Sequence, residues 1–343
     1  MYMYTQGHSR LISTGVYLPE ERVNMRDIMQ QFDSQNRFGI PINWFEKTMG
    51  IHERRVAPAD VLPSDMAMRA ATEALELAGL TDTELDAIIY TGLARDHLEP
   101  ATAHIVQRKL GAENAVAFDV TNACHGFMNG IHLMDALIAT GQVRRGLVVT
   151  GEQGSRMGQL AIEELRKTSE REMFTKLAAG LTLGDAGAAL IMGPKVDPDT
   201  GFMGFMLQSY GEISKLCVYG HHGQENAMRT DMPTLVMHNE RLHSAMYKEF
   251  MTKLGWRSQD IAKFIHHQVG IRIFRQHANY AGISLDIMPN TLTDFGNMIT
   301  ANIPINLYNL SKNKEISRGQ KLFLSGSGSG LAISQAGLIW EAA

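Results

Sequence analysis

The chain has 343 residues, 44% of them hydrophobic and 20% charged, and its net charge of −4 is spread without a basic block. This composition excludes a disordered chain and argues against nucleic acid as a partner, while the length favours two packed halves. Because there are only two cysteines, we expect no disulfide framework. No apolar run approaches the roughly 20 residues that cross a bilayer, so we expect no membrane insertion. Since the start has no secretion-signal pattern, we expect the protein to be cytoplasmic.

Two parts of the chain repeat one pattern, in which a helix, a polar link and a short apolar strand follow each other. The first copy places its strand at Ala87–Tyr90 and the second at Lys263–His266. A later pair of strands, within 145–151 and 320–326, repeats at nearly the same offset. Alternating strands and helices indicate an α/β fold with sheets covered by helices. The duplication predicts a five-layer αβαβα sandwich, with two mixed sheets around a shared pair of buried helices.

The two copies predict two halves, residues 1–193 and 194–343. The charged, helical stretch at about 154–180 has the character of a surface insertion in the first half. Residues 201–238 are rich in glycine, histidine and methionine, and we expect them to be irregular and to wall a pocket.

The first candidate for chemistry is Cys124, in the sequence Asn-Ala-Cys-His-Gly-Phe. A strand enters a tight turn there, and a buried helix should begin at or just after the cysteine. A helix N-terminus favours thiolate, so Cys124 is a candidate nucleophile. Gly126 and Gly130 would allow close backbone approach. An inert, buried cysteine is the alternative interpretation.

The second copy offers two further candidates. His267 follows an apolar strand at the end where open α/β sheets place their sites, whereas its neighbour His266 should point to the opposite side. Asn297 occupies nearly the place in the second copy that Cys124 has in the first, and it should begin a buried helix. The alternative role for Asn297 is a helix cap.

The glycine-rich stretch Ser325–Gly330 matches neither a dinucleotide-binding pattern nor a serine-hydrolase elbow. A backbone turn that offers N–H groups to an oxyanion fits it better, and a plain hairpin is the alternative. The 13 histidines show no metal-ligand spacing, so we expect no metal site.

These residues together resemble the ketoacyl-acyl-carrier-protein synthase III branch of the thiolase superfamily. The resemblance runs over nearly the whole chain and rests on six motifs in the family order: the segment 44–55, which is similar to the family's thioester-cofactor entrance, Asn-Ala-Cys-x-Gly-Phe at Cys124, Leu-Gly-Asp-Ala-Gly-Ala-Ala from Leu183, His-Gln at His267, Gly-Asn at Asn297, and the glycine hairpin at 325–330.

The resemblance implies a thiolase fold and a set of roles. Cys124 would take the acyl group, while His267 and Asn297 would bind the thioester carbonyl of the second substrate. Backbone N–H groups of Cys124 and of the turn near Gly328 would form the oxyanion hole. Acyl-CoA would enter beside Trp44 and Arg54 as a substrate, and no permanently bound cofactor is implied.

Two positions depart from the synthase pattern: Gly270 stands where the family often has asparagine, and Thr48 where it usually has arginine. A narrower resemblance, at 94–103, 177–184 and 215–217, is to olefin-biosynthesis condensing enzymes and pyrone-forming ketosynthases. In that subgroup the glutamate that matches Glu99 reaches into the other subunit's site and acts as the base, which implies a homodimer. A solvated loop residue is the alternative for Glu99.

The prediction is therefore a condensing enzyme that joins two acyl thioesters through an acyl-cysteine and gives a β-keto product without decarboxylation. A simple acyl thioester must lose an α-proton, and Glu99 would accept it. The first alternative is decarboxylative condensation with malonyl-acyl-carrier protein, and the second is a non-catalytic, acyl-CoA-binding partner subunit. Thiolytic cleavage would need a second active-site cysteine in the C-terminal glycine turn, and Cys217 is not there.

Overall fold

The structure is a computed structural model that describes residues 2–220 and 226–341. The strands in these residues are β1 Met3–Gln6, β2 Ser9–Tyr17, β3 Glu21–Asn24, β4 Glu53–Val56, β5 Ala87–Tyr90, β6 Val116–Asp119, β7 Gly146–Gln153, β8 Asp185–Pro194, β9 Gly201–Ser209, β10 Cys217–Val218, β11 Arg229–Thr230, β12 Ile261–His266, β13 Lys321–Gly328 and β14 Ala332–Ile339. The α-helices are α1 Met25–Gln30, α2 Ser34–Phe38, α3 Trp44–Met49, α4 Pro63–Ala78, α5 Thr102–Leu110, α6 Gly126–Ala139, α7 Gly154–Leu165, α8 Arg171–Leu181, α9 Met232–Leu254, α10 Ile271–Ala281, α11 Leu292–Phe295 and α12 Asn302–Lys312.

Two five-stranded mixed sheets carry the fold, with strand orders β2-β8-β7-β5-β6 and β1-β9-β14-β13-β12. In the first, β2 and β7 both pair antiparallel with β8, and β7 pairs parallel with β5. In the second, β9 and β13 both pair antiparallel with β14, and β13 pairs parallel with β12. Four strands of each sheet therefore share one order and one set of directions, which confirms the predicted duplication.

Helices α6 and α12 lie between the two sheets. Phe127 and Ile131 of α6 and Leu307 of α12 share one core cluster with Val148 of the first sheet and Leu324 of the second. All five side chains are fully buried or nearly so, and burying each one stabilises the fold by about 1.5–3 kcal/mol. Helix α4 covers the outer face of the first sheet, and α9 covers that of the second. The predicted five-layer sandwich is confirmed.

Helix α6 approaches the first sheet very closely. A Cβ atom at Gly130 would lie 2.5 Å from the Thr91 methyl group and 2.9 Å from Val148, and one at Gly126 would lie 2.4 Å from the Thr91 carbonyl oxygen. Since carbon atoms do not approach this closely without displacement, both glycines are required where the backbone passes, as the sequence predicts.

The expectation that residues 201–238 are irregular is wrong over two described parts of that range. Strand β9 is an interior strand of the second sheet, between β1 and β14, and α9 begins at Met232. The glycines of β9 obscured its apolar pattern; a Cβ at Gly204 would lie 3.2 Å from the Tyr4 ring on β1. Residues 221–225 of the predicted range lie outside the described residues.

The insertion predicted at about 154–180 contains α7 and α8, as expected for a helical stretch. Their apolar faces are buried, with Ile162, Leu165, Phe174 and Leu177 in the largest core cluster. Strand β1, from the first half, extends the sheet of the second half. A boundary between 193 and 194 remains a prediction. In the described residues no helix is both long and apolar enough to cross a membrane.

Candidate active site

Four of the predicted site residues, Cys124, His267, Asn297 and Gly328, line one cavity of about 240 Å³. The cavity wall is otherwise mainly apolar, with Leu93, Ala179, Leu183, Met228, Met232, Leu235, Val236, Val269, Ile273, Ile299 and Leu331. A few polar groups fixed in an apolar cleft are the usual composition of a small-molecule site.

Cys124 sits on the tight turn that the sequence predicts. Ala123 has a φ of +46°, in the left-handed region, and α6 begins at Gly126, two residues after the cysteine. The β13–β14 hairpin packs against this turn, because a Cβ at Gly328 would lie 2.7 Å from the backbone nitrogen of His125. The backbone of Gly328 thus lies beside that of the cysteine.

The electrostatic surroundings of Cys124 act against the predicted stabilisation of a thiolate by the helix. Burial raises the pKa of its thiol above the ordinary value, and Cys217 and Glu152 raise it further. The sulfur packs against Leu183 and Ile299, and desolvation by such apolar groups disfavours the charged form. The role of Cys124 as the nucleophile stays a prediction.

His267 is a neutral imidazole in this site. Burial lowers its pKa to about 4, and the charge of His125 acts in the same direction. Its Nδ1 lies 3.2 Å from the side-chain nitrogen of Asn302, and its backbone N–H donates to the Ser325 carbonyl at 3.0 Å. The neighbouring His266 is fully buried, with its ring edge-on to Phe274, and does not line the cavity.

The Asn302 amide determines which nitrogen of His267 carries the proton. Its nitrogen also donates to Asn297 Oδ1 at 3.0 Å and to the Ile299 carbonyl at 3.2 Å. If the Asn302 amide were turned by 180°, its oxygen would face the oxygens of Asn297 and Ile299, which cannot donate a hydrogen bond. The nitrogen of Asn302 therefore occupies this position. Nδ1 of His267 is then an acceptor, and Nε2–H is the donor available to a ligand.

Asn297 is oriented by two donors. Its Oδ1 accepts from the backbone N–H of Ile299 at 2.9 Å and from Asn302, which leaves the NH₂ group for a ligand. The expectation that Asn297 begins the buried helix is wrong. Ile299 has a φ of +55°, a short 3₁₀ turn covers Ile299–Ala301, and α12 begins only at Asn302.

The glycine-rich stretch is a hairpin, and its predicted role in binding an oxyanion stays a prediction. β13 runs to Gly328 and pairs antiparallel with β14, so the stretch is a hairpin. Gly328, its last strand residue before the turn, nevertheless lines the cavity beside Cys124. Cys217, on β10, also lines this cavity, although it does not belong to the hairpin.

The two residues predicted to contact the thioester cofactor, Trp44 and Arg54, lie in different parts of the structure. Trp44 lines a second cavity of about 430 Å³, together with the exposed Arg171 and Arg272. The two cavities share Ala179, Met232, Val236, Val269 and Ile273, so they adjoin.

Arg54 is buried away from both cavities. It donates to the Leu183 carbonyl at 2.6 Å, and burial lowers its pKa to about 10 while Asp185 acts in the opposite direction. This position does not fit the predicted contact with a thioester cofactor.

Glu99 is exposed, on the loop between β5 and α5, and does not line the cavity of its own chain. The adjoining Leu98 is 87% exposed.

Two residues that the sequence did not single out are central to the site: Asn302, and the buried Glu152 at the end of β7. A glutamate three positions after the apolar run Leu147–Val149 was a usable signal, because carboxylates rarely enter a buried strand. No group of three or more His, Cys, Asp or Glu side chains within the described ranges is placed to hold a metal.

The chain is similar to known proteins over most of its length. The chain matches 3-oxoacyl-acyl-carrier-protein synthase III over residues 118–211 and the C-terminal part of that family over 251–340. It is 32% identical over 310 residues to the acyl-CoA:acyl-CoA alkyltransferase of Xanthomonas campestris pv. campestris, covering 89% of this chain and 90% of that protein. It is 31% identical to the β-ketoacyl-acyl-carrier-protein synthase III of Neisseria meningitidis, covering 95% and 97%.

Solved structures of Xanthomonas campestris OleA match the fold. A cysteine-to-serine form with bound lauric acid and lauroyl-CoA superimposes with a TM-score of 0.92 at 28% identity, covering 98% of this chain and 100% of that one. Other forms of that enzyme carry a substituted glutamate or histidine, with TM-scores of 0.91. The chain thus belongs to the 3-oxoacyl-acyl-carrier-protein synthase III family of the thiolase superfamily.

Proposed function

We propose that this protein is an acyltransferase that joins two acyl-CoA molecules by a non-decarboxylative Claisen condensation. The observation that carries the proposal is the meeting of Cys124, the neutral donor His267 and the Asn297 amide in one apolar cavity. The similarity to an acyl-CoA:acyl-CoA alkyltransferase supports acyl-CoA, rather than a malonyl thioester, as the second substrate.

In the first half-reaction, Cys124 takes an acyl group. Its sulfur attacks the thioester carbonyl carbon, and the backbone N–H groups of Cys124 and Gly328 bind the resulting oxyanion. The bond from carbon to the CoA sulfur then breaks. The thiol proton of Cys124 ends on the departing sulfur, so that free CoA leaves and the acyl group remains on the enzyme.

In the second half-reaction, His267 Nε2–H and the Asn297 NH₂ group donate to the carbonyl oxygen of a second acyl thioester. Their hydrogen bonds strengthen as that oxygen gains enolate charge when a base removes the α-proton. The enolate carbon attacks the acyl-cysteine carbonyl, the carbon–sulfur bond to Cys124 breaks, and a β-keto thioester forms. The proton taken by the base returns to the cysteine sulfur.

We assign the base to Glu99 of a partner subunit in a homodimer. In the OleA variants, the substituted glutamate and cysteine lie 26 positions apart, and the cysteine and histidine lie 142 apart. Here Glu99 and Cys124 lie 25 apart, and Cys124 and His267 lie 143 apart. Glu99 is exposed beside the exposed Leu98 and absent from its own cavity, as a residue that acts across an interface would be.

Binding of CoA is assigned to the second cavity, which adjoins the first. Trp44 offers an aromatic face there, and Arg171 and Arg272 offer exposed guanidinium groups to the CoA phosphates. These two arginines replace Arg54 in the predicted role. We expect the reaction to run in the cytoplasm with no permanently bound cofactor.

The function is tested by supplying decanoyl-CoA as the only substrate and identifying the products by mass spectrometry. The proposal expects a β-keto thioester and one free CoA for each condensate. Parallel samples contain malonyl-acyl-carrier protein. Product that forms only with the malonyl donor would replace the proposal with the decarboxylative alternative. If neither sample gives product and Cys124 gains no acyl mass, the protein is the non-catalytic acyl-CoA-binding subunit.

A further inference from the structure

Glu152 is a buried carboxylate that neither half-reaction uses. It stands at the end of β7 with no exposed surface. A carboxylate is buried in this way only where hydrogen bonds compensate for the lost water. Its partners lie on two separate segments of the site.

The first segment is the loop that carries Glu99. The backbone N–H of Leu93 donates to one carboxylate oxygen of Glu152 at 3.0 Å, and that of Ala94 donates to the other at 3.1 Å. Leu93 also lines the cavity that contains Cys124. Glu152 therefore holds the start of the loop at the point where it leaves the cavity.

The second segment is the turn that follows Asn297. The hydroxyl group of Thr300 donates to Glu152, and its backbone N–H lies 3.4 Å from the same oxygen. Since the single hydroxyl proton of Thr300 is used in this way, the hydroxyl of Thr150 donates to Thr300 at 2.7 Å. The adjoining Ile299 donates to Asn297 Oδ1. Glu152 thus also holds the turn that orients Asn297.

We propose that Glu152 is a positioning residue for the step that forms the carbon–carbon bond, because it joins the Glu99 loop to the Asn297 turn through one carboxylate. This inference rests on the proposed function. Glu99 and Asn297 act only in the second half-reaction, whereas acylation of Cys124 needs the cysteine and the backbone N–H groups of Cys124 and Gly328. A disturbed Glu152 should therefore impair condensation and spare acylation.

The ionised form suits this role, because both oxygens accept and all the partners donate. Burial raises the pKa of Glu152 to about 7, and these hydrogen bonds act in the opposite direction. The Glu152 carboxylate in turn raises the pKa values of the Cys124 thiol and the Tyr90 phenol.

The test variant is Glu152→Gln, which keeps the size of the side chain but replaces one accepting oxygen with an NH₂ group. Asp135→Asn is the matched control. Asp135 is equally buried and accepts from the backbone N–H groups of His8 and Ser9 at 2.8 and 2.7 Å and from the Ser9 hydroxyl, remote from the cavity. Both variants replace a buried carboxylate with an amide, and only one of them touches the site.

Two rates are measured for each protein: the gain of acyl mass on Cys124, and the formation of β-keto product from the acylated enzyme. We expect Glu152→Gln to acylate no more slowly than the parent, because it removes a carboxylate that raises the pKa of the Cys124 thiol. It should condense on the order of tenfold to a hundredfold more slowly, as misplaced reacting groups do. Asp135→Asn should keep the ratio of the two rates.

Thr300→Val tests the same connection from the other side, since it removes the donated hydroxyl group and keeps the shape. It should slow condensation, and the double variant should be no slower than Glu152→Gln, because both changes break one link. Equal loss of both rates in Glu152→Gln, or unchanged condensation, would overturn the inference. An unsubstituted protein that makes no condensate would instead refute the proposed function.

Discussion

The side-chain nitrogen of Asn302 donates to the side-chain oxygen of Asn297 across 3.0 Å, so one buried amide fixes the orientation of another. The same nitrogen lies 3.2 Å from His267 Nδ1. Asn302 itself has no exposed surface. It therefore sets both donors of the proposed enolate site, the Nε2–H group of His267 and the NH₂ group of Asn297, without touching the substrate.

Replacing Asn302 with leucine, which has the same number and branching of side-chain heavy atoms, should disable this arrangement. His267 would be free to take either tautomer, and Asn297 would lose one of the two donors that orient it. We expect condensation to slow on the order of tenfold to a hundredfold, while acylation of Cys124 continues. Asn306→Leu is the control, because Asn306 is a buried amide on the same helix that bonds to Thr291 and to the Asn302 carbonyl. Equal rates for the two variants would contradict the role of Asn302.

The assignment of Glu99 to the partner subunit predicts complementation between two inactive variants. Neither Cys124→Ala nor Glu99→Ala should make condensate alone. Co-expressed in equal amounts, they should regain about a quarter of the parent activity, since half of the dimers are mixed and each mixed dimer has one complete site. Product is followed by mass spectrometry. Full activity of Glu99→Ala alone, or a mixture without activity, would refute the assignment.

The arginines of the second cavity should govern binding of CoA, whereas Arg54 should govern stability. Arg171→Ala and Arg272→Ala each remove an exposed charge. We expect the KM for acyl-CoA to rise about threefold to tenfold, which corresponds to roughly 1 kcal/mol, with kcat little changed. Arg54→Met should lower the melting temperature and leave KM unchanged. The opposite pattern would restore Arg54 as the CoA contact.

The buried imidazoles should make the fold sensitive to acid. Among the described residues, burial lowers the pKa values of the half-buried His132 and of five buried histidines, His125, His243, His266, His267 and His277. These groups stay neutral in the native state but take up protons near pH 6.5 when the chain unfolds. The unfolded state then binds more protons, so stability falls as the pH drops below 6.5, by about 1.4 kcal/mol per pH unit for each group until its native pKa is reached.

We therefore expect the midpoint of urea unfolding to be markedly lower at pH 5 than at pH 7. His266→Phe should reduce this loss, because both ring nitrogens of His266 are buried without a hydrogen-bond partner and the ring packs among Phe264 and Phe274. Equal midpoints at the two pH values would show that the imidazoles are protonated in the native state.

Much of the site could be predicted from the sequence because its residues follow strands or tight turns. Cys124 precedes an apolar helix, His267 directly follows a strand, and Gly328 lies in a glycine-rich stretch. The apolar pattern of each segment, and the order of the family's motifs along the chain, identify such positions without knowledge of the packing.

What the sequence could not provide depends on contacts between distant segments. Arg54 and Arg55 are adjacent on β4, so period-two alternation turns one inward, and only the packed interior decides which one. Arg54 is buried, and Arg55 faces Phe295 and the Pro19 carbonyl. The raised pKa of Cys124 likewise depends on the burial that distant segments impose. The strand β9 was missed because its glycines have no side chain to show the alternation.

The most direct test of the central claim is a single turnover of the acylated enzyme. The protein is acylated on Cys124 with decanoyl-CoA, freed of CoA, and mixed with fresh decanoyl-CoA as the only second substrate. The account predicts that β-keto thioester forms in at least the amount of acyl-cysteine supplied, although fresh decanoyl-CoA can acylate the freed cysteine again. Absence of β-keto product under these conditions, with condensation only when malonyl-acyl-carrier protein is added, would contradict the account.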